Sequence, residues 1–237
     1  MKQRETKMNI RSTELHDSIM SVFHEYMQEQ KKKKVKIYKY LNQYVKKRQI
    51  LLVGSSLMEN FPINELLQSL EKKYIIYNRG IGGYVTEELL SSMEECIFEL
   101  EPVKIFINIG TNDISAQNYE KERLIDNYNK ILTKISERLP NCTVYVMAYY
   151  PVNAKADFTG VDKARKEELF RTRTNSAIFE ANAAVEEIAK KHGYEFINVN
   201  KGLTDEDGNL KVEYAIEGLH MWPNAYKIIF DNLLEYL

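Results

Sequence analysis

Four short segments, taken in chain order, hold residues that could do chemistry together. Residues 54–56 read Gly-Ser-Ser after an apolar run and present Ser56 where a strand would turn into a helix. A serine hydroxyl is a poor nucleophile until a base takes its proton. Residues 78–83 read Asn-Arg-Gly-Ile-Gly-Gly, and glycines so dense let backbone N–H groups approach a ligand closely. Residues 110–113 read Gly-Thr-Asn-Asp and offer the Asn112 amide as an uncharged donor. Residues 217–220 read Glu-Gly-Leu-His, so Glu217 can reach His220 Nδ1 across a turn and aim Nε2 at a serine. Each segment also has a plain structural reading. Ser55 or Ser56 could cap a helix, the glycines could make a tight turn, and Asn112 or Asp113 could bond its own backbone. Taken together they supply a nucleophile, two kinds of oxyanion donor, a base and a carboxylate, which is the equipment for acyl transfer through serine. His16 and His24 lie in a helical region, and His192 suits a helix C-terminus, so His220 is the histidine with chemical company.

The intervening sequence must bring these segments to one place. From residue 48 onward, apolar runs alternate with helical patterns. Strands are expected at 49–53, 74–77, 104–109, 143–148 and 195–199, and helices at 63–70, 86–100, 124–139, 175–191 and 223–237. Such alternation predicts parallel strands joined by right-handed crossovers, giving a three-layer α/β/α sandwich with a five-stranded parallel sheet. Ligands in such sheets bind beyond the C-terminal strand ends, and the first three segments fall there. Residues 152–174 form a long polar connection in which Asp162 can cap a short helix running to Phe170.

Residues 1–46 read as a separate helical extension, with the α/β domain spanning 47–237. Two helices are expected in the extension, one carrying Leu15, Ile19, Val22, Phe23, Tyr26 and Met27, the other Ile37, Tyr40, Leu41, Tyr44 and Val45, on either side of Lys31 to Lys34. Each stripe needs a cover, either the main domain or a second subunit, so a homo-oligomer through 1–46 is an open expectation. Residues 1–50 carry 13 Lys/Arg and 5 Asp/Glu, whereas 51–237 carry 20 and 29. That asymmetry fits attraction between the two parts. The lysine run reads as a solvated face or linker in preference to an anionic-surface site, and no nucleic acid partner is expected.

Hydrophobic residues at 44% and charged residues at 28% suit a soluble chain that can bury a core without disulfide or metal staples. Cys96 and Cys142 are not spaced as a zinc site, so no metal and no cofactor is expected. No run has membrane-spanning length and no signal peptide is evident, which makes the cytoplasm the expected compartment.

Over about residues 48–237 the motifs resemble those of the SGNH hydrolases, also called the GDSL lipase/esterase family. The resemblance implies a flavodoxin-like sandwich, with Ser56 as nucleophile, Ser56, Gly83 and Asn112 as the oxyanion hole, and His220 with Glu217 as base and partner. Two departures stand out: the usual Gly-Asp-Ser is Gly54-Ser55-Ser56, and the usual Asp-x-x-His begins with Glu217. The implied activity is hydrolysis of a small or sugar-linked acyl ester. The rival expectation is a binding or scaffold protein on the same fold with weakened catalysis. Tyr84, Tyr149, Tyr150, Met221 and Trp222 lie near motifs or strand ends and are expected to line the crevice or pack in the core.

Overall fold

A computed structural model describes the backbone of residues 2–116 and 118–237, with side chains from Ser18 onward. The side chains of Leu15 and His16 lie outside the described residues. Among the described residues, five strands form one parallel sheet: β1 (Ile50–Gly54), β2 (Ile76–Gly80), β3 (Lys104–Asn108), β4 (Thr143–Met147) and β5 (Glu195–Ile197), in the order β2-β1-β3-β4-β5. The order reverses beside β1, so the crevice between the C-terminal ends of β1 and β3 is the natural ligand site. This is the three-layer architecture expected from the alternating pattern.

Strand alternation divides the core in two. Leu51, Val53, Ile105, Ile107, Val144 and Val146 face one layer. Leu52, Phe106 and Met147 face the other. Both faces are buried, which is why these strands read as continuous apolar runs. The first layer includes α7 (Lys121–Arg138) and α9 (Asn175–Lys191), through Leu124, Tyr128, Ile131, Ile178 and Val185. The second includes α10 (Pro223–Leu233), where Ala225, Tyr226, Ile229, Phe230 and Leu233 meet Leu57, Phe61 and Ile63.

Several expected elements are redrawn. β2 lies further along than 74–77, because Asn78, Arg79 and Gly80 belong to the strand rather than to the following loop. The helix expected over 86–100 is broken into α4 (Thr86–Ser91), α5 (Met93–Cys96) and a 3₁₀ turn at Phe98–Leu100. The Ser91 and Ser92 hydroxyls bond to the carbonyls of Glu87 and Glu88, a four-residue return that bends helices. Asp162 does cap a helix, α8 (Lys163–Phe170), by accepting the Arg165 N–H at 2.8 Å.

The largest correction concerns the N-terminal region. It holds one continuous helix, α1 (Lys2–Leu41), followed by a 3₁₀ turn at Asn42–Tyr44. Residues 1–50 contain neither Gly nor Pro, and lysine is a good helix former, so the lysine run does not interrupt it. Of the second expected stripe Val45 packs against the body, whereas Ile37, Tyr40, Leu41 and Tyr44 are exposed. The packed face instead runs through Lys31, Lys34, Val35, Tyr38 and Asn42. It is largely polar, and hydrophobic periodicity does not register such a face. Further toward the N-terminus Ile19, Val22, Phe23 and Tyr26 are likewise exposed.

Gly54, the last residue of β1, allows the strand to close on its neighbours just before Ser56. A β-carbon there would sit 2.1 Å from the Asn108 carbonyl oxygen and 2.6 Å from Met58 Cγ. Because the closer obstacle is backbone, Gly54→Ala is expected to lose at least about 2 kcal/mol in urea unfolding. A loss within about 0.5 kcal/mol, the range of neutral surface changes, contradicts this packing.

Candidate active site

The chain leaves β1 through Ser55 and enters a single-turn helix, α2 (Ser56–Glu59), with Ser56 at its first position. Two side chains hold this helix in place. Asn78 Nδ2 donates to the Met58 carbonyl at 2.6 Å, and the Tyr226 hydroxyl donates to the Leu57 carbonyl at 2.8 Å. The Ser55 hydroxyl is buried, makes no cap and has no partner among the described residues. The capping alternative therefore fails at 55.

The second part arrives on a short hairpin. Ala215 and Met221 form an antiparallel bridge, and Ile216 N–H donates to the His220 carbonyl at 2.9 Å. Gly218 adopts φ +93°, left-handed backbone that favours glycine, and turns Glu217 back toward His220. A β-carbon there would also strike the Asn153 carbonyl at 2.4 Å and the Phe170 ring at 2.7 Å. The 152–174 connection thus buttresses this hairpin. Asn153 N–H donates to the Gly218 carbonyl at 2.9 Å, and Asn153 Nδ2 to the Leu210 carbonyl at 2.7 Å.

These supports bring the expected groups together. Ser56 Oγ lies 2.9 Å from His220 Nε2. His220 Nδ1 is bonded to Glu217 Oε1, so the longer Glu side chain reaches the imidazole. Glu217 Oε2 also accepts the His220 N–H at 3.4 Å. Burial disfavours the Glu217 carboxylate, but the hydrogen bond and charge of His220 outweigh it and hold Glu217 below its ordinary range. Arg173, which sequence reasoning did not single out, is buried with Nε and Nη2 unpartnered among the described residues. Burial pushes it down to about 10, and the Glu217 carboxylate opposes that shift.

The glycine loop and the segment after β3 are knitted to each other. Asn112 Nδ2 donates to the Tyr84 carbonyl at 2.9 Å, and Asp113 accepts from the Thr86 N–H at 3.1 Å and from the Thr86 hydroxyl. The Asn112 side chain thus reaches another loop, whereas Asp113 also bonds its own backbone N–H, as the turn alternative had it. Burial raises the Asp113 carboxyl above its usual range, with the Thr86 bonds opposing the shift. One Asn112 amide hydrogen is thereby used and the other remains. The backbone N–H groups of Ser56 and Gly83 have no acceptor among the described residues. Gly83, at φ +71°, sits inside the turn closed by Tyr84 N–H on the Ile81 carbonyl at 3.2 Å.

The aromatic residues separate. Tyr84, Tyr149 and Tyr150 are buried, and the Tyr149 hydroxyl donates to the Ile109 carbonyl at 2.8 Å. Tyr84 and Tyr150 fill the interior, as large aromatic surface does when a core can cover it, while Tyr149, also buried, reaches the edge of a depression. Met221 is also buried, whereas Trp222 beside His220 is 50% exposed. A depression of about 440 Å³ at the ends of β4 and β5 is bounded by Tyr149, Phe179, Asn182 and Asn200 but by none of Ser56, Gly83, Asn112, Glu217 or His220. Ser56 and His220 are half-buried, with the His220 side chain 35% exposed.

A family model of GDSL-like lipases/acylhydrolases matches residues 53–228. Among curated relatives, the yeast Saccharomyces cerevisiae isoamyl acetate-hydrolyzing esterase is 25% identical over 73% of this chain and 72% of its own length. An Escherichia coli N-acylneuraminate cytidylyltransferase is 26% identical over 82% of this chain, which spans only 41% of that protein. A solved structure from Streptococcus pneumonia, named for platelet activating factor, superposes with TM-score 0.81 at 28% identity, covering 92% of this chain and 97% of that one. A GDSL-like lipase from Bacteroides thetaiotaomicron shares the fold at TM-score 0.68 and 19% identity, covering 85% and 96%. Among the described residues no helix is long and apolar enough to cross a membrane. The chain belongs to the GDSL-like lipase/acylhydrolase family of carboxylic-ester hydrolases.

Proposed function

We propose that the chain hydrolyses short acyl esters through Ser56, His220 and Glu217. The observation that carries this reading is the 2.9 Å separation of Ser56 Oγ and His220 Nε2, with Nδ1 of the same ring on Glu217. His220 Nε2 takes the Ser56 proton as Oγ bonds to the ester carbonyl carbon. The resulting oxyanion is met by the free N–H groups of Ser56 and Gly83 and by the remaining Asn112 amide hydrogen. When the tetrahedral centre collapses, the C–O bond to the alcohol breaks and His220 gives that alcohol its proton. Water then repeats the sequence on the acyl-serine, releasing the carboxylic acid and restoring Ser56. Glu217 fixes the imidazole tautomer and balances its charge. No step draws on a metal or an organic cofactor.

The yeast relative's name supports a short acyl group. The exposed Trp222 gives an apolar surface beside the base for the alcohol or acyl portion.

Steady-state hydrolysis of 4-nitrophenyl acetate tests the assignment. Ser56→Ala and His220→Ala are each expected to lose at least about 1,000-fold in kcat/KM. Asn112→Ala is expected to lose roughly 100- to 1,000-fold in kcat, the usual cost of one oxyanion donor. Undiminished turnover by Ser56→Ala overturns the reading.

A second prediction concerns pH. Folding lowers the Glu217 pKa, so its stabilising contribution is complete above the unfolded value of about 4.3 and fades as pH falls through the lower folded value. Wild type should therefore exceed Glu217→Gln in thermal stability at pH 6, and the gap should narrow toward pH 3. A gap that widens between pH 4 and pH 3 contradicts the lowered Glu217 pKa.

A further inference from the structure

We infer that the second half of α1 is a clamp on the oxyanion loop, and that Glu59 is the positioning residue through which it acts. The inference deepens the esterase reading and rests on it for its kinetic consequence. Glu59 ends α2, one turn after Ser56. Its Oε2 accepts the Gly82 N–H at 2.6 Å, and its Oε1 meets Lys34 Nζ at 2.7 Å. One carboxylate therefore ties the helix carrying the nucleophile, the glycine loop and the N-terminal helix. Within residues 81–84 the N–H groups of Ile81, Gly82 and Tyr84 are bonded, to the Gly54 carbonyl, the Glu59 carboxylate and the Ile81 carbonyl, which leaves the Gly83 N–H free for an oxyanion.

The same face of α1 grips the loop at successive turns. The Tyr38 hydroxyl donates to the Gly80 carbonyl at 2.5 Å from a buried position. Arg79 Nε and Nη2 donate to Asn42 Oδ1 at 3.1 and 2.8 Å, and the guanidinium lies over the Tyr38 ring. Lys31 Nζ bonds both Glu88 oxygens at 2.8 Å, and Glu88 Oε2 accepts the Val85 N–H at 3.0 Å. Lys31 Cε also stands 3.2 Å from where a Gly83 β-carbon would project.

The physical need is clear. A loop with three glycines in four positions has much backbone freedom to lose. Oxyanion donors act well only when they are already aimed before the charge develops. The Lys34–Glu59 pair is about one-third exposed on each side, so it adds little to global stability. Its consequence lies in where it holds Gly82. The charge asymmetry of the chain has one local expression here: two lysines of the run meet two carboxylates that each accept a loop N–H.

The test uses the full chain, 4-nitrophenyl acetate kinetics and amide hydrogen exchange over residues 78–88. Glu59→Ala is expected to lower kcat roughly 10- to 100-fold, as an ångström-scale misplacement does, with KM changing less than about threefold. Glu59→Gln keeps an acceptor for Gly82 N–H and should hold kcat within about threefold of wild type, a rescue that loss of packing alone does not give. Exchange at 80–84 should speed up about tenfold or more in Glu59→Ala and, should that variant misfold, in Lys34→Met, while α9 is unchanged. Unchanged exchange in these variants overturns the clamp, and so does wild-type kcat in Glu59→Ala when Ser56→Ala is dead. Should wild type fail to hydrolyse the ester, the esterase reading falls, and the exchange result still decides whether Glu59 positions the loop.

Discussion

A 2.9 Å hydrogen bond between Ser56 and His220 joins points 164 positions apart, and the rest of the site is arranged to keep it. A bond of this length tolerates little error in either partner. Each partner is accordingly fixed twice. The serine is placed by the exit from β1 and by the ties from Asn78 and Tyr226 to its helix. The imidazole is placed by the Ala215–Met221 bridge and by Asn153 holding Gly218. Tyr226 belongs to α10, which begins just after the hairpin, so one helix connects the His220 hairpin to the Ser56 helix.

The oxyanion side follows the same logic with different materials. Its loops lack apolar mass, so polar bonds do the fixing. Asn112 and Asp113 bind the segment after β3 to Tyr84 and Thr86, and Glu59, Tyr38 and Asn42 hold β2 and the glycines from the other side. For the proposed chemistry, donors held in place near Ser56 are what an acyl-transfer transition state needs. The replacement of the usual Gly-Asp-Ser acid by Ser55 leaves this arrangement intact, because the buried Ser55 hydroxyl takes no part in it.

Much of this arrangement is legible in the sequence. Strands buried on both faces must be apolar throughout, so β1, β3 and β4 announced themselves. The motif order then placed Ser56 and Asn112 at the C-terminal edge. What escaped notice was polar. Asn78 and Arg79 read as loop because their side chains serve hydrogen bonds rather than packing. The docking face of α1 was invisible for the same reason, although Lys31, Lys34, Tyr38 and Asn42 recur at helical spacing and Lys31 and Lys34 carry the charge opposite to that of the body. Glu59 and Arg173 gave no local signal, since the groups they meet lie far along the chain. For the aromatic residues near motifs and strand ends crevice and core are both open readings of the chain; Tyr84, Tyr149 and Tyr150 are interior, and Trp222 is open to solvent.

The central claim is that His220 activates Ser56, and covalent labelling with a fluorophosphonate read by peptide mass spectrometry tests it most directly. The account predicts one adduct, on Ser56, formed readily by wild type and at least about 100-fold more slowly by His220→Ala. An adduct on another residue, or equal labelling of Ser56 with and without the imidazole, contradicts it.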